Sequence, residues 1–142
     1  MKVCTHDGLD IAVLTRNEHC PPHVHVGTEK WDARFEFSFW HDGVRLWDVT
    51  PEQNEPKAAI LEDLRQALKL PANLRRAREH WWYSRSTVCL DNQLWDTKDD
   101  EIVAPKDKRP NAKKILSAGF DKQRYRTVLC LAGEGTPLEI EL

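Results

Sequence analysis

The chain has 142 residues, of which 40% are hydrophobic and 31% are charged, and its formal net charge is −2. This balance is typical of a folded globular domain and excludes a disordered or membrane-embedded chain. No apolar run approaches the ~18 residues of a membrane-spanning helix, and the N-terminus has no apolar stretch of signal-peptide length. We therefore expect one domain, residues 1–142, in the cytoplasm and without a membrane partner.

Alternating hydrophobic residues predict strands in the first part of the chain. The clearest alternation runs from Trp31 to Trp40, and the Asp42-Gly43 pair that follows is a typical hairpin-turn signal. Two prolines, Pro21 and Pro22, exclude a helix just before the histidine-rich segment. The predicted strands cover 8–16, 23–26, 31–40 and 44–49, with a turn over 17–22.

The hydrophobic period then lengthens to that of helices. Apolar residues at helical spacing predict helices over 55–70 and 72–86, which form a hairpin because Pro71 separates them. The rest of the chain is predicted as a strand at 87–95, a loop at 96–110, a short helix at 111–118 and strands at 124–131 and 138–142. This order predicts an α+β fold, with a largely antiparallel sheet and a two-helix hairpin packed on one face. Residues 87–142 would form a strand-rich C-terminal extension of the part that covers 8–86.

A histidine-rich turn and strand at 19–25 is the most informative feature of the sequence. His23 and His25 lie two residues apart, so in a strand their side chains project to the same side, roughly 7 Å apart. The turn before this strand would place His19 or Cys20 near them as a third ligand. His and Cys side chains are ligands that a divalent transition metal such as Zn²⁺ prefers. The candidate ligands are His19, Cys20, His23 and His25, and Glu18 offers a carboxylate.

Two other interpretations of the same residues stay open. The histidines serve acid–base chemistry or binding without a metal, or they are solvated residues of a structural turn. In every case Val24 and Val26 should face the core, because they alternate with His23 and His25. We expect both imidazoles to be partly accessible, at the rim of a groove that the helical hairpin or the 96–110 loop helps to wall.

The run His-Cys-Pro-Pro-His-Val-His-Val at 19–26 resembles the signature of an uncharacterised bacterial family, the domain of unknown function numbered 4160. The resemblance continues through Ala33-Arg34-Phe35 and a helical stretch ending near Trp81, and covers about residues 8–83. Cys20 stands where the family would have a small polar residue, and residues 87–142 lie beyond the family's usual end. The matching residues of the signature are His19, Pro21, Pro22, His23, His25 and Val26.

The resemblance implies a small bacterial protein that is encoded beside another small protein, in an arrangement like a toxin–antitoxin module. The leading hypothesis is therefore a partner-binding or regulatory protein with a histidine-rich surface site. The alternative is an enzyme, a metal-dependent hydrolase or nuclease that uses the 19–25 cluster. The family carries no settled activity, so it assigns no catalytic residue. The sequence leaves open whether the chain is an enzyme and whether it forms a homo-oligomer.

The second predicted helix is rich in arginine and offers a third hypothesis. A basic face with an exposed aromatic residue can bind phosphates and stack on bases, so nucleic acid is a candidate partner and an acidic protein is another. A solvated helix face explains the same pattern. The candidate residues are Arg75, Arg78, Trp82 and Arg85. The four cysteines are predicted as thiols without a disulfide framework, with Cys89 and Cys130 buried in strands.

Overall fold

The computed structural model describes residues 1–142 and divides the chain into two compact units. The N-terminal unit comprises Met1–Ser38 and Asp42–Arg85, and the C-terminal unit comprises Phe39–His41 and Ser86–Leu142. We expect one domain with an extension that starts at residue 87, and the main segment of the C-terminal unit starts one residue earlier, at Ser86. Two antiparallel sheets and two helices confirm the α+β class.

The N-terminal unit contains a five-stranded antiparallel sheet in which the strands follow one another in chain order. The predicted hairpin at 31–49 is present, but its first strand ends at Glu36 and the connection covers 37–44 instead of a two-residue turn. The alternation continues into the connection because Phe37 and Phe39 are buried there outside the ladder. The strands are β1 Lys2–His6, β2 Leu9–Ala12, β3 His23–Gly27, β4 Asp32–Glu36 and β5 Arg45–Thr50, followed by a 3-10 helix at Glu52–Asn54.

Strand β3 has one apolar and one polar side. Val24 and Val26 are 0% and 2% exposed, as predicted, and pair with the buried Phe35 and Ala33 of β4. The intervening His23 and His25 pair with Glu36 and Arg34. Because side chains alternate across a sheet, this register places the two histidines together on the side away from the valines.

Two helices form the predicted hairpin of the N-terminal unit: α1 Ala58–Lys69 and α2 Pro71–Arg85. Pro71 begins α2, where its missing N–H costs nothing because the first helical N–H groups have no partner within the helix. Neither helix has the length and apolar character needed to cross a membrane. The buried residues are Leu61, Leu64, Ala67 and Leu68 of α1 and Leu74, Ala77, Arg78 and Trp81 of α2.

The C-terminal unit contains a second antiparallel sheet, with strand order β10-β9-β8-β6-β7. The predicted strands at 124–131 and 138–142 are confirmed, whereas the predicted helix at 111–118 is wrong. That segment lies in the long strand β8, which pairs with both β6 and β9, so pairing overrides its local helix preference. The strands are β6 Leu94–Asp96, β7 Glu101–Val103, β8 Ala112–Asp121, β9 Arg126–Leu131 and β10 Leu138–Glu141.

Other expectations for this unit also differ from the structure. The predicted strand at 87–95 is reduced to β6, and the predicted loop at 96–110 contains β7. Cys89 lies outside any strand, has a positive φ of 63° and is disulfide-bonded, so it is not a buried thiol. Cys130 carries a free thiol in β9, as expected, but it is half-buried.

Candidate metal centre

The polar side of β3 brings two histidines and one carboxylate together. The ring centroids of His23 and His25 lie 5.2 Å apart. The turn before β3 places Glu18 over both rings: its Oε2 is 2.5 Å from His23 Nε2 and its Oε1 is 3.1 Å from His25 Nε2. One ligand atom from each of the three residues lies within 4.8 Å of the others, which is a spacing that one metal ion can span.

The other ring nitrogen of each histidine has its own acceptor. His23 Nδ1 lies 2.8 Å from the carbonyl oxygen of Pro21. A carbonyl oxygen can only accept, so Nδ1 of His23 carries the proton. His25 Nδ1 likewise donates to Asp32 Oδ2, at 2.9 Å. Acceptors of this kind fix the ring orientation and turn Nε2 toward a metal in histidine metal sites.

The three converging atoms can share a cation, either a proton on Nε2 of His23 or a metal ion. The contact of His23 Nε2 with Glu18 Oε2 has hydrogen-bond geometry, so a proton on that nitrogen would be donated to the carboxylate. Without a proton or a metal ion there, the nitrogen lone pair and the carboxylate repel each other. Nε2 of His25 is buried and makes no hydrogen bond, since its 3.1 Å approach to Glu18 lacks hydrogen-bond geometry. Ligand atoms around a tetrahedral zinc ion lie about 3.4 Å apart, so seating an ion requires the carboxylate to withdraw by less than about 1 Å.

The side chains of the three candidate ligands are largely shielded from solvent. The side chains of His23, Glu18 and His25 are 1%, 12% and 18% exposed. The surrounding protein thus strengthens charge interactions at the site, while His25 and Glu18 keep contact with solvent. The expectation that both imidazoles are accessible is therefore wrong for His23.

Aromatic rings pack around His23. The ring of Trp47 lies nearly perpendicular to it, with ring centroids 5.1 Å apart, and the ring centroid of Trp81 of α2 lies 5.3 Å away. The guanidinium of Arg34 stacks over Trp47 at 4.0 Å and binds the Asp48 carboxylate through both of its oxygens. This hydrogen bonding by Arg34 holds the pKa of the Asp48 carboxyl below its usual range. The rings leave His23 little rotational freedom, which favours a preorganised ligand.

The structure separates the four ligand candidates of the sequence analysis. His23 and His25 come together, and Glu18 is the third member of the cluster. His19 is exposed and lies outside the cluster. Cys20 is disulfide-bonded, so its sulfur is not available as a thiolate ligand. The sequence indicated Glu18 only as an additional possible ligand. Alternation of hydrophobic residues predicts which side of a strand a residue faces, but it does not predict how the preceding turn folds.

The basic face predicted for the second helix does not form as expected. Arg78 is 1% exposed; it donates from Nε to the Ser38 carbonyl at 2.8 Å and from Nη2 to Asp42 at 2.9 Å. Arg75 is exposed and pairs with Glu79 one turn later. Arg75 and Arg78 therefore share no exposed face. The burial of Arg78 could have been predicted from the sequence, because its position lies on the same helical face as the apolar residues Leu74, Ala77 and Trp81.

The other two residues of that set differ from Arg75. Trp82 and Arg85 are both half-buried, so neither is a freely exposed contact residue. A nucleic-acid surface built from all four residues would need their side chains in solvent, and only Arg75 meets that condition.

A second group of titratable residues joins the β1–β2 turn to α1. His6 Nε2 lies 2.6 Å from Asp63 Oδ2 and 3.4 Å from Asp7 Oδ2. The hydrogen bond to Asp63 raises the pKa of His6, and the same bond lowers the pKa of Asp63. Both carboxylates are exposed, so a surface ion pair explains this geometry. Sequence reasoning missed the pair because its members are 57 residues apart.

Comparison with known proteins adds no relative. No protein-family model, curated protein or solved structure matches the chain. The resemblance of 19–26 to the uncharacterised bacterial family therefore stays a prediction.

Proposed function

We propose that this protein binds a divalent transition metal ion, with Zn²⁺ the best fit, through Glu18, His23 and His25, and that the centre assists hydrolysis. One observation carries the proposal: His23, which is buried, and His25, which is half-buried, donate from Nδ1 to other acceptors and point Nε2 at one carboxylate. Two imidazoles and a carboxylate are ligands that zinc favours in catalytic sites. Manganese and iron are alternatives for the same donors, and metal analysis distinguishes them.

The proposed chemistry follows from the number of ligands. Three protein ligands leave a fourth position for water, and a bound metal of this kind lowers the pKa of its water to about 7. The chain's own contribution is to orient the ligands, through the Pro21 carbonyl behind His23 and the Asp32 carboxylate behind His25. Glu18 and His25 are the ligands on the solvent side, so we expect substrate to approach past them.

Elemental analysis of chain purified without an affinity tag tests metal binding, and hydrolysis of activated phosphodiester and carboxylic-ester substrates tests the reaction. We expect bound zinc and a hydrolytic rate that Glu18→Gln removes and His19→Ala leaves unchanged. A chain that takes up metal but hydrolyses neither class would contradict the hydrolase part alone. A chain that takes up no metal would contradict both parts.

The other expectations from sequence stay predictions. These are the small protein partner from a two-gene module and the cytoplasmic location. The disulfide at Cys20 bears on the location, because stable disulfides are rare in the reducing cytoplasm. Co-purification with the neighbouring gene product would test the partner.

A further inference from the structure

Arg85, the last residue of α2, has an unpartnered charged edge. Its Nε and Nη2 atoms are buried and have no hydrogen-bond partner. A guanidinium keeps its positive charge at any ordinary pH, and a buried charge without a counter-charge is costly. The side chain as a whole is half-buried, so solvent still reaches part of it. This combination favours an anionic ligand.

The same chain shows what that edge binds elsewhere. Arg34 uses Nε and Nη2 to hold the two oxygens of Asp48. Arg65 holds the two oxygens of Glu62 with the same pair, at 2.8 and 2.7 Å. The Nε–Nη2 edge is thus a planar fork that matches an oxyanion offering two oxygens. In Arg85 no carboxylate of the chain occupies this fork.

A third unpartnered donor lies one helical turn before Arg85. Trp81 is 0% exposed, and its indole Nε1 has no hydrogen-bond partner. An indole N–H can only donate, so it also calls for an acceptor. Residues four apart lie on the same side of a helix, with a separation of about 6 Å along its axis. Trp81 in turn packs against His23, which links this side of α2 to the metal centre.

We propose that Arg85 and Trp81 bind an oxyanion, a carboxylate or a phosphate group, that belongs to the substrate of the metal centre. The substrate assignment rests on the proposed function, whereas binding of the anion does not. Arg85 supplies the charge and the two-oxygen fork, and the Trp81 N–H supplies a further hydrogen bond. The anion gives the substrate a fixed anchor next to the residue that holds His23 in place.

Calorimetric titration of the full chain with methylphosphonate and with acetate tests the anion site, because the two probes differ in the anionic group alone. We expect one of them to bind, and its identity assigns the anchor to a phosphoryl or a carboxylate group. Arg85→Gln should weaken this binding at least about tenfold, and Arg85→Lys, which keeps the charge without the fork, should also weaken it. Arg75→Gln on the same helix should bind as the wild type does. Failure of both probes to bind, or equal binding by Arg85→Gln, would overturn the proposal.

Thermal unfolding and zinc loading separate this proposal from the metal centre. Without anion, Arg85→Gln should melt at or above the wild-type temperature, because it removes a buried charge that lacks a partner. The rise in melting temperature that the anion produces should disappear in this variant. Zinc stoichiometry should be unchanged in it. Arg85-dependent anion binding in a chain that takes up no zinc would overturn the link to the metal centre and leave the anion site standing.

Discussion

Replacing Arg78 by alanine should destabilise the N-terminal unit far more than the same change at Arg75. The two arginines lie three residues apart on α2, but Arg78 is buried and Arg75 is exposed. Arg78→Ala removes the donors to Ser38 and Asp42 and the packed methylene stem. The contact of Arg75 with Glu79, at 3.3 Å, is on the exposed side of the helix.

The magnitude follows from these contacts. A hydrogen bond from a charged donor contributes about 1.5–3 kcal/mol, and burial of the three-carbon stem contributes about 2 kcal/mol. The released side-chain entropy offsets about 2 kcal/mol of this. We therefore expect Arg78→Ala to lower the free energy of unfolding by about 1.5–3 kcal/mol. Asp42 adds little because its side chain is 71% exposed. For Arg75→Ala we expect a loss of under about 0.5 kcal/mol.

Urea unfolding followed by far-ultraviolet circular dichroism measures both variants, and the difference in midpoint at a common slope gives the loss in free energy. Equal losses in the two variants, or a loss below about 1 kcal/mol for Arg78→Ala, would refute the buried position of Arg78. That result would restore the exposed basic face that the sequence suggested.

Four further results follow from the contacts around the histidines and from the disulfide. Asp32→Asn should weaken zinc binding about 10- to 100-fold, because Asp32 orients His25. Nuclear magnetic resonance titration should give His6 a pKa above 6.5, and Asp63→Asn should bring it back toward that value. The His6–Asp63 pair should stabilise the fold at pH values between the lowered pKa of Asp63 and the raised pKa of His6. Its contribution to the free energy of unfolding is lost when His6 loses its proton at higher pH, and when Asp63 gains one at lower pH. Cys20 should react with iodoacetamide only after reduction.

Each of these results has a control. Asp10→Asn alters an exposed carboxylate that accepts from Thr5, so it should leave zinc affinity unchanged. An unshifted His6 titration would show that the pair to α1 does not form in solution. Cys4 is a free thiol and should be labelled without reductant in unfolded chain, so labelling of both Cys4 and Cys20 there would argue against the disulfide.

The pattern of hydrophobic residues along the chain was sufficient to predict those elements that bury one face. The alternation of Val24 and Val26 with two histidines correctly gave strand β3 and placed both imidazoles on one side. Pro71 correctly separated the two helices. In these places the hydrophobic period and the turn chemistry agree with the tertiary contacts, so the sequence alone predicts the structure.

Non-local contacts decided what the pattern could not predict. Residues 111–118 have a helix-compatible composition, and only pairing with β6 and β9 makes them a strand. The choice of Glu18 over His19 depends on how the turn at 17–22 folds back over β3, which no periodicity encodes. The unpartnered edge of Arg85 is likewise visible only when its surroundings are known.

Zinc titration against a chromophoric chelator measures metal binding by Glu18, His23 and His25. The titration compares wild-type chain with three variants: Glu18→Gln, the His23→Ala, His25→Ala double variant, and His19→Ala. We expect one tightly bound equivalent of zinc in the wild type and in His19→Ala, and loss of tight binding in the other two variants. His19 is the matched control because it lies in the same turn and outside the cluster. Absence of zinc binding by the wild type, or its loss in His19→Ala with retention in the double variant, would contradict the account.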